Sequence, residues 1–136
     1  MPKIKSEASR YFENAKELLN KSKIEGDRYE DIKYVQEACG TAYLAILKAI
    51  DEYLLKAGVD IKDLPQSVDG YWEMLRKYLA VPNGKLTREF EKLYKELHIA
   101  GYYRGLIEDV NAIKDIFKSA KAFIEVEIDA TSCISK

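Results

Sequence analysis

The chain has 136 residues, which is one domain by length (1–136) and enough to bury about two-thirds of the unfolded surface. Its 22 basic and 23 acidic residues nearly cancel, and a net charge of −1 excludes a wholesale electrostatic attraction to nucleic acid, though not a local basic patch. Met1-Pro2-Lys3-Ile4-Lys5 is followed by no apolar run and nothing approaches 18 uncharged apolar residues, so neither a secretory signal nor a membrane span is expected.

Residues 6–24 predict a first helix. Ala8, Tyr11, Phe12, Ala15, Leu18, Leu19 and Ser22 share one face, with Arg10, Glu13, Lys16, Glu17 and Lys21 largely outside it. Gly26 reads as its stop, and Asp27 followed by Glu30 as a capping-box start for a second helix.

The second helix is the centre of the chain. Over residues 34–55 one stripe runs Val35, Ala38, Ala42, Ala45, Ala49, Tyr53, and a second runs Cys39, Tyr43, Ile46, Ile50, Leu54. Together they form an apolar arc wider than a surface helix needs, so this helix should pack on several neighbours. Leu44, Ile46, Leu47 and Ile50 are the expected anchors, and only Lys48, Asp51 and Glu52 interrupt the run. Small residues around Gly40 predict a bend or a close contact there. Gly58 fits a left-handed helix end, with Val59 folding back on Leu54.

Residues 59–66 read as a connector ending at Pro65. Ser67 then caps a short third helix carrying Trp72, Leu75, Tyr78 and Leu79, which stops before Pro82, and Asn83-Gly84 is a turn. A fourth helix presents Leu86, Phe90, Leu93, Leu97 and Ala100, loosening over 101–105. Asp109 caps a fifth, with Val110, Ile113, Phe117, Ala120 and Ile124 on one face, widened by Ile116 and Phe123. Residues 129–136 lose the pattern and are expected to fray. No alternating strand pattern is present. The fold class is all-α: an antiparallel up-and-down bundle of four main helices plus one short helix.

The chemistry on offer is thin. With His98 as the sole histidine and no Cys-x-x-Cys, neither a metal site nor a cofactor is expected. Cys39 and Cys133 lack metal-ligand spacing and fit a reduced, cytoplasmic setting better than a disulfide scaffold. Glu13, Glu17, Glu91 and Glu96 read as solvated partners of neighbouring lysines rather than acid–base pairs. The constellation with chemical content is Tyr94, His98, Tyr102, Tyr103 and Arg104. Tyr94, His98 and Tyr102 recur one turn apart, and a guanidinium beside them could help stack a base or hold a phosphate. The plainer reading is a half-buried histidine between tyrosine rings at a helix-packing edge. Ten tyrosines are many for this length; Tyr43, Tyr53, Tyr71 and Tyr78 read as core-edge rings whose hydroxyls reach water, and the same property favours self-association.

Two blocks resemble the HEPN superfamily of small helical bundles. Residues 38–49, Ala-Cys-Gly-Thr-Ala-Tyr-Leu-Ala-Ile-Leu-Lys-Ala, are similar to its Ala/Tyr-rich second helix. Leu93-Tyr94-Lys95-Glu96-Leu97-His98 leading into Ala100-Gly101-Tyr102-Tyr103 is similar to its helix ending in an Ala-Asp-Tyr element, and Glu108-Asp109 and a last helix with Ala120, Phe123 and Ile124 follow. More closely, the whole chain looks like an uncharacterised bacterial family of helical bundles known from structural genomics. The resemblance implies dimerisation, and in many members a metal-independent RNase whose arginine precedes its histidine by a few residues. Here the nearest preceding arginine is Arg88, ten positions before His98, and Arg104 follows it, so the family's catalytic residues do not carry over. The expectation is a non-catalytic interaction protein, a homodimer with no membrane partner. The alternative is an RNase, or an RNA- or nucleotide-binding toxin–antitoxin component, using the His98/Arg104 region.

Overall fold

The computed structural model describes residues 6–78 and 85–134, with side chains to residue 125. Its first helix, α1 (Glu7–Asn20), opens on Ser6, whose hydroxyl accepts the Ser9 amide at 3.1 Å. A second first-turn donor is satisfied from across the fold, where the Ala8 amide donates to Glu52 Oε1 at 3.1 Å. The predicted face points inward: Ala8, Phe12, Ala15, Leu19 and Ser22 are buried, and Tyr11 and Leu18 half-buried.

The helix ends earlier than its pattern suggested, because residues 24–29 form a hairpin. In β1 (Ile24–Glu25) and β2 (Arg28–Tyr29), Ile24 pairs with Tyr29 and Glu25 with Arg28 around the two-residue turn Gly26-Asp27. Gly26 has φ 66°, the left-handed value that a tight hairpin turn requires and glycine adopts without strain. The expectation of a structure without strands, and of Gly26 and Asp27 as helix stop and start, is therefore corrected. Strands of two residues are too short to display a period. The hairpin also pins the segment before the last helix: the Tyr29 amide donates to the Glu108 carbonyl at 2.8 Å and the Val110 amide to the Asp27 carbonyl at 2.9 Å.

The central helix, α2 (Ile32–Lys56), is capped by Asp31, which accepts the Lys33 amide at 3.1 Å. Every residue of both predicted stripes is buried, and α2 packs against α1, the third helix, the segment around His98 and the last helix. Two expected anchors lie outside the stripes, and the structure corrects them: Leu44 is 47% exposed and Leu47 half-buried. The polar interruptions prove to be ties. Glu52 holds the start of α1, and Asp51 accepts the Tyr71 hydroxyl at 2.9 Å. The Tyr53 hydroxyl donates to the Tyr78 carbonyl at 2.9 Å, so the hydroxyls of Tyr53 and Tyr71 are held by protein groups where water was expected. The end of α2 is a Schellman arrangement. Val59 N–H donates to the Leu54 carbonyl at 3.0 Å, Gly58 N–H donates to that of Leu55 at 3.1 Å, and Gly58 has φ 100°.

The connector contains a short 3₁₀ turn (Ile61–Asp63) before α3 (Val68–Tyr78), where Ser67 Oγ accepts the Gly70 amide at 3.1 Å. The expected stop before Pro82 and the Asn83-Gly84 turn lie outside the described residues. The next helix, α4 (Lys85–Leu93), passes directly into a π-helix over Tyr94–Tyr103, where an α-helix to about Ala100 was expected. The Arg104 amide closes it on the Ile99 carbonyl at 2.9 Å, five residues back. Turns that hold more residues bring inward positions round less often. Leu93, Leu97 and Gly101 are accordingly the buried series, and Ala100 is only half-buried.

The reason for a glycine at 101 is the approach of α2. A Cβ on Gly101 would lie 2.6 Å from Cys39 Sγ, 2.8 Å from Cys39 Cβ and 3.0 Å from the Glu96 carbonyl oxygen. A Cβ on Gly40 would lie 2.7 Å from the Tyr102 ring. The close contact predicted near Gly40 is thus a seam between α2 and the π-helix. The last helix, α5 (Val110–Ile134), starts at Asp109, whose Oδ2 accepts the Ala112 amide at 2.8 Å, and all seven predicted core residues up to Ile124 are buried. Its backbone stays helical to Ile134, past the end of the apolar pattern at residue 129.

Two substitutions test this packing. Gly101→Ala is expected to lower stability by about 1–3 kcal/mol, the range for overpacking, despite alanine's better helix propensity. Urea unfolding that shows the variant equal to or more stable than the parent contradicts the seam. Burial raises the Asp51 carboxyl above its ordinary value, while the Tyr71 hydrogen bond opposes that rise. A raised folded-state value means that ionising Asp51 costs stability as pH climbs through it, and Tyr71 reduces the cost. Tyr71→Phe should therefore lose roughly 1 kcal/mol at pH 7. The loss should be smaller at acid pH, where Asp51 is protonated in both states; a deficit independent of pH would show that the Tyr71 hydroxyl does not favour the ionised carboxylate.

Candidate functional site

Along the π-helix the side chains at 94, 98 and 102 stack in a ladder. The His98 ring lies 5.5 Å from that of Tyr94, at an interplanar angle of 25°, and 5.8 Å from that of Tyr102, at 17°. From α2, the Tyr43 ring approaches the imidazole to 4.9 Å at 29°. His98 is half-buried with three rings around it, and the structure thereby brings together Tyr94, His98 and Tyr102 of the predicted constellation. It adds Tyr43, which reads from sequence as a core-edge ring. Burial, then the neighbouring Tyr94 phenol, push the Tyr43 hydroxyl above its ordinary range, so it stays protonated.

His98 and Tyr102 of the ladder form one wall of a cleft of about 540 Å³ between α1, α2 and the π-helix. Leu18, Gly40, Leu44 and the rings of Tyr43 and Tyr102 supply apolar lining, with His98, Glu37 and Thr41 as its polar groups. That volume lies within the range of sites for small molecules or inserted side chains. Gly40 matters here as well: without a side chain it lets the Tyr102 ring lie against α2.

Tyr103 and Arg104 are not gathered into the ladder. Tyr103, 75% exposed, lines a shallower cleft of about 330 Å³ with Lys33, Gln36, Glu37 and Tyr102. Gln36 Nε2 donates to the Tyr102 carbonyl at 3.1 Å, which fixes the edge between the two clefts. Arg104 is exposed and lines neither. The lining residues Glu37 and Thr41 escape a reading of the sequence, since they lie at the edges of the α2 stripes, and Leu44 reads there as a core anchor. The glycine in an alanine-rich helix was the signal that marked the place.

Burial pushes the Cys39 thiol up to about 12, which removes the thiolate and with it any nucleophilic role near neutral pH. Glu91 pairs with Lys95 at 3.2 Å as the spacing suggested. Glu96 departs from that expectation. It is half-buried, its Oε1 has no hydrogen-bond partner, and burial raises its carboxyl above the ordinary value. Among the described residues no group of three or more His, Cys, Asp or Glu side chains is placed to hold a metal ion, and no helix is long and apolar enough to cross a membrane.

Known proteins match this architecture without adding a chemistry. A solved protein of unknown function from Dyadobacter fermentans is 32% identical, with a TM-score of 0.72 over 89% of each chain. A protein from Sulfolobus solfataricus shares the fold at 17% identity, with a TM-score of 0.72 over 93% of this chain and 98% of its own. No curated protein matches. The HEPN resemblance stays a likeness of two helical blocks. The family model that matches covers residues 3–128, and the chain belongs to that family, the domain of unknown function DUF5618.

Proposed function

We propose that the protein is a non-catalytic interaction module that self-associates through the face carrying the aromatic cleft. The observation that carries this reading is the apolar cleft of about 540 Å³ with exposed side chains at its rim. Leu44 and Tyr102 are each 47% exposed there, and Tyr103 extends the surface through the adjoining cleft. Contiguous exposed apolar surface marks a protein interface, and tyrosine suits one because its ring is apolar and its hydroxyl finds a partner at the edge. A net charge of −1 gives two copies little reason to repel each other. Light scattering over a wide concentration range should show a dimer that Leu44→Asp converts to monomer. A single species near 15.6 kDa at high concentration excludes self-association.

The alternative of an RNase or a nucleotide binder built on His98 and Arg104 has weaker support. Three rings crowd the imidazole, and the guanidinium lines neither cleft beside it. A general base needs reach to its proton, and a phosphate site needs its cation in the cleft. Incubation with RNA should therefore give no cleavage. Cleavage that disappears in His98→Ala would reinstate the catalytic reading and displace the first.

A further inference from the structure

On the other side of α1 from the aromatic cleft, α1 and α5 enclose a second groove of about 330 Å³, bordered by Tyr29 of the hairpin. Its floor is apolar, built from Phe12, Leu19, Tyr29 and Phe117. Its rim carries four lysines, Lys16 on α1 beside the neutral Asn20, and Lys114, Lys118 and Lys121 on α5. Among the described residues no carboxylate lines it. Lys114, Lys118 and Lys121 follow one another at steps of four and three, which places them on a single face of α5, and seven residues advance about 10 Å along a helix. Lys16 leans over the Phe12 ring at 5.9 Å from its centroid. Among the described residues none of these four lysines is in an ion pair. In a chain with a net charge of −1, this is a local concentration of unneutralised positive charge.

The shape and chemistry of the groove distinguish among anionic ligands. A small phosphate or nucleotide needs pre-positioned donors, and here every lysine is an exposed, flexible side chain. A nucleic acid strand needs free aromatic faces on which bases stack. The Phe12 and Phe117 rings instead pack against each other at 5.8 Å, and each is 6% exposed. An open trough between two helices, with an apolar floor and a row of cations along about 10 Å of one wall, has the form that accepts a third helix.

We propose that the α1–α5 groove docks an acidic amphipathic helix of a protein partner. Its carboxylates pair with Lys114, Lys118 and Lys121 from one side and Lys16 from the other, and its apolar side chains cover only the narrow strip of Phe12, Leu19 and Phe117, each 6–7% exposed, that the groove leaves open. Exposed pairs of this kind are individually weak, so the row of lysines supplies orientation and a salt-dependent association rate more than tight binding. This site is independent of the self-association face.

The test uses the full-length protein, isotope-labelled for NMR, and a synthetic helical peptide with a leucine stripe flanked by glutamates. Adding the peptide should shift the resonances of α1 and α5 around the groove and leave those of the aromatic cleft in place. The double substitution Lys114→Glu/Lys118→Glu should weaken binding about tenfold or more. Raised salt should weaken binding to the parent protein, a readout that does not depend on how well the variant folds. Absence of groove shifts at millimolar peptide overturns the proposal, as does binding that ignores charge reversal and salt. It is also overturned if a single-stranded RNA occupies the groove more tightly than the peptide. Concentration-dependent groove shifts without peptide would assign this face to a second copy instead.

Discussion

The structure depends on burying one helix from several sides. α2 is apolar over a wide arc with eleven buried residues, and its inward positions are mostly alanine, cysteine and isoleucine rather than large rings. Small side chains let neighbouring backbones come close, and it is the neighbours that supply bulk: Phe12 from α1, Tyr71 from α3, Phe90 from α4, Phe117 and Phe123 from α5. Each fully buried large side chain of this kind contributes roughly 1.5–3 kcal/mol. The polar residues of α2 work within the same constraint. Asp51 and Glu52 sit where the arc meets α3 and the start of α1, and each takes a hydrogen bond from that element.

The tightest part of that burial reshapes the chain at the candidate site. Where α2 presents Cys39 and Gly40, the opposing helix comes near enough that Gly101 has no room for a methyl group. The segment meets this demand as a π-helix, with Leu93, Leu97 and Gly101 turned to the core and Tyr94, His98 and Tyr102 stacked along its side. π-Helical turns are rare and occur often at functional sites. Here the irregularity coincides with the tight seam against α2, and the aromatic ladder runs along it beside the cleft. In the surface that results the imidazole is set among three rings, and Glu37 and Thr41 are the other polar groups of the cleft.

α1 separates the two grooves. Leu18 lines the aromatic cleft while its neighbours Lys16 and Leu19 line the lysine-edged trough, because adjacent positions on a helix point in different directions. Arg28 adds an exposed ion pair with Glu108 at 3.2 Å to the hairpin's backbone bonds, next to the Asp109 cap from which α5 sets out. A surface pair of that kind contributes little by itself. The two amide–carbonyl bonds to Glu108 and Asp27 do more to set where α5 begins, and hence where its lysines face α1.

What could be read from residues alone was whatever is decided within a few positions of chain. The Ser67 and Asp109 caps and the Gly58 Schellman end involve partners no more than five residues apart, and the stripes of α1, α2 and α5 follow from helical periodicity. Those features carried the helical fold class and the central role of α2. The hairpin at 24–29 was hidden because four strand residues hold no period, although Gly26-Asp27 between Ile-Glu and Arg-Tyr was a turn signal. Tertiary contact alone decided the rest. The π-helix meets Cys39 from a distant part of the chain, Tyr43 becomes a wall of the His98 site only once α2 lies against it, and Leu44 stays exposed because among the described residues no element closes over it at the edge of the cleft. Periodicity states which residues share a face; only the packed chain determines whether another helix stands opposite it.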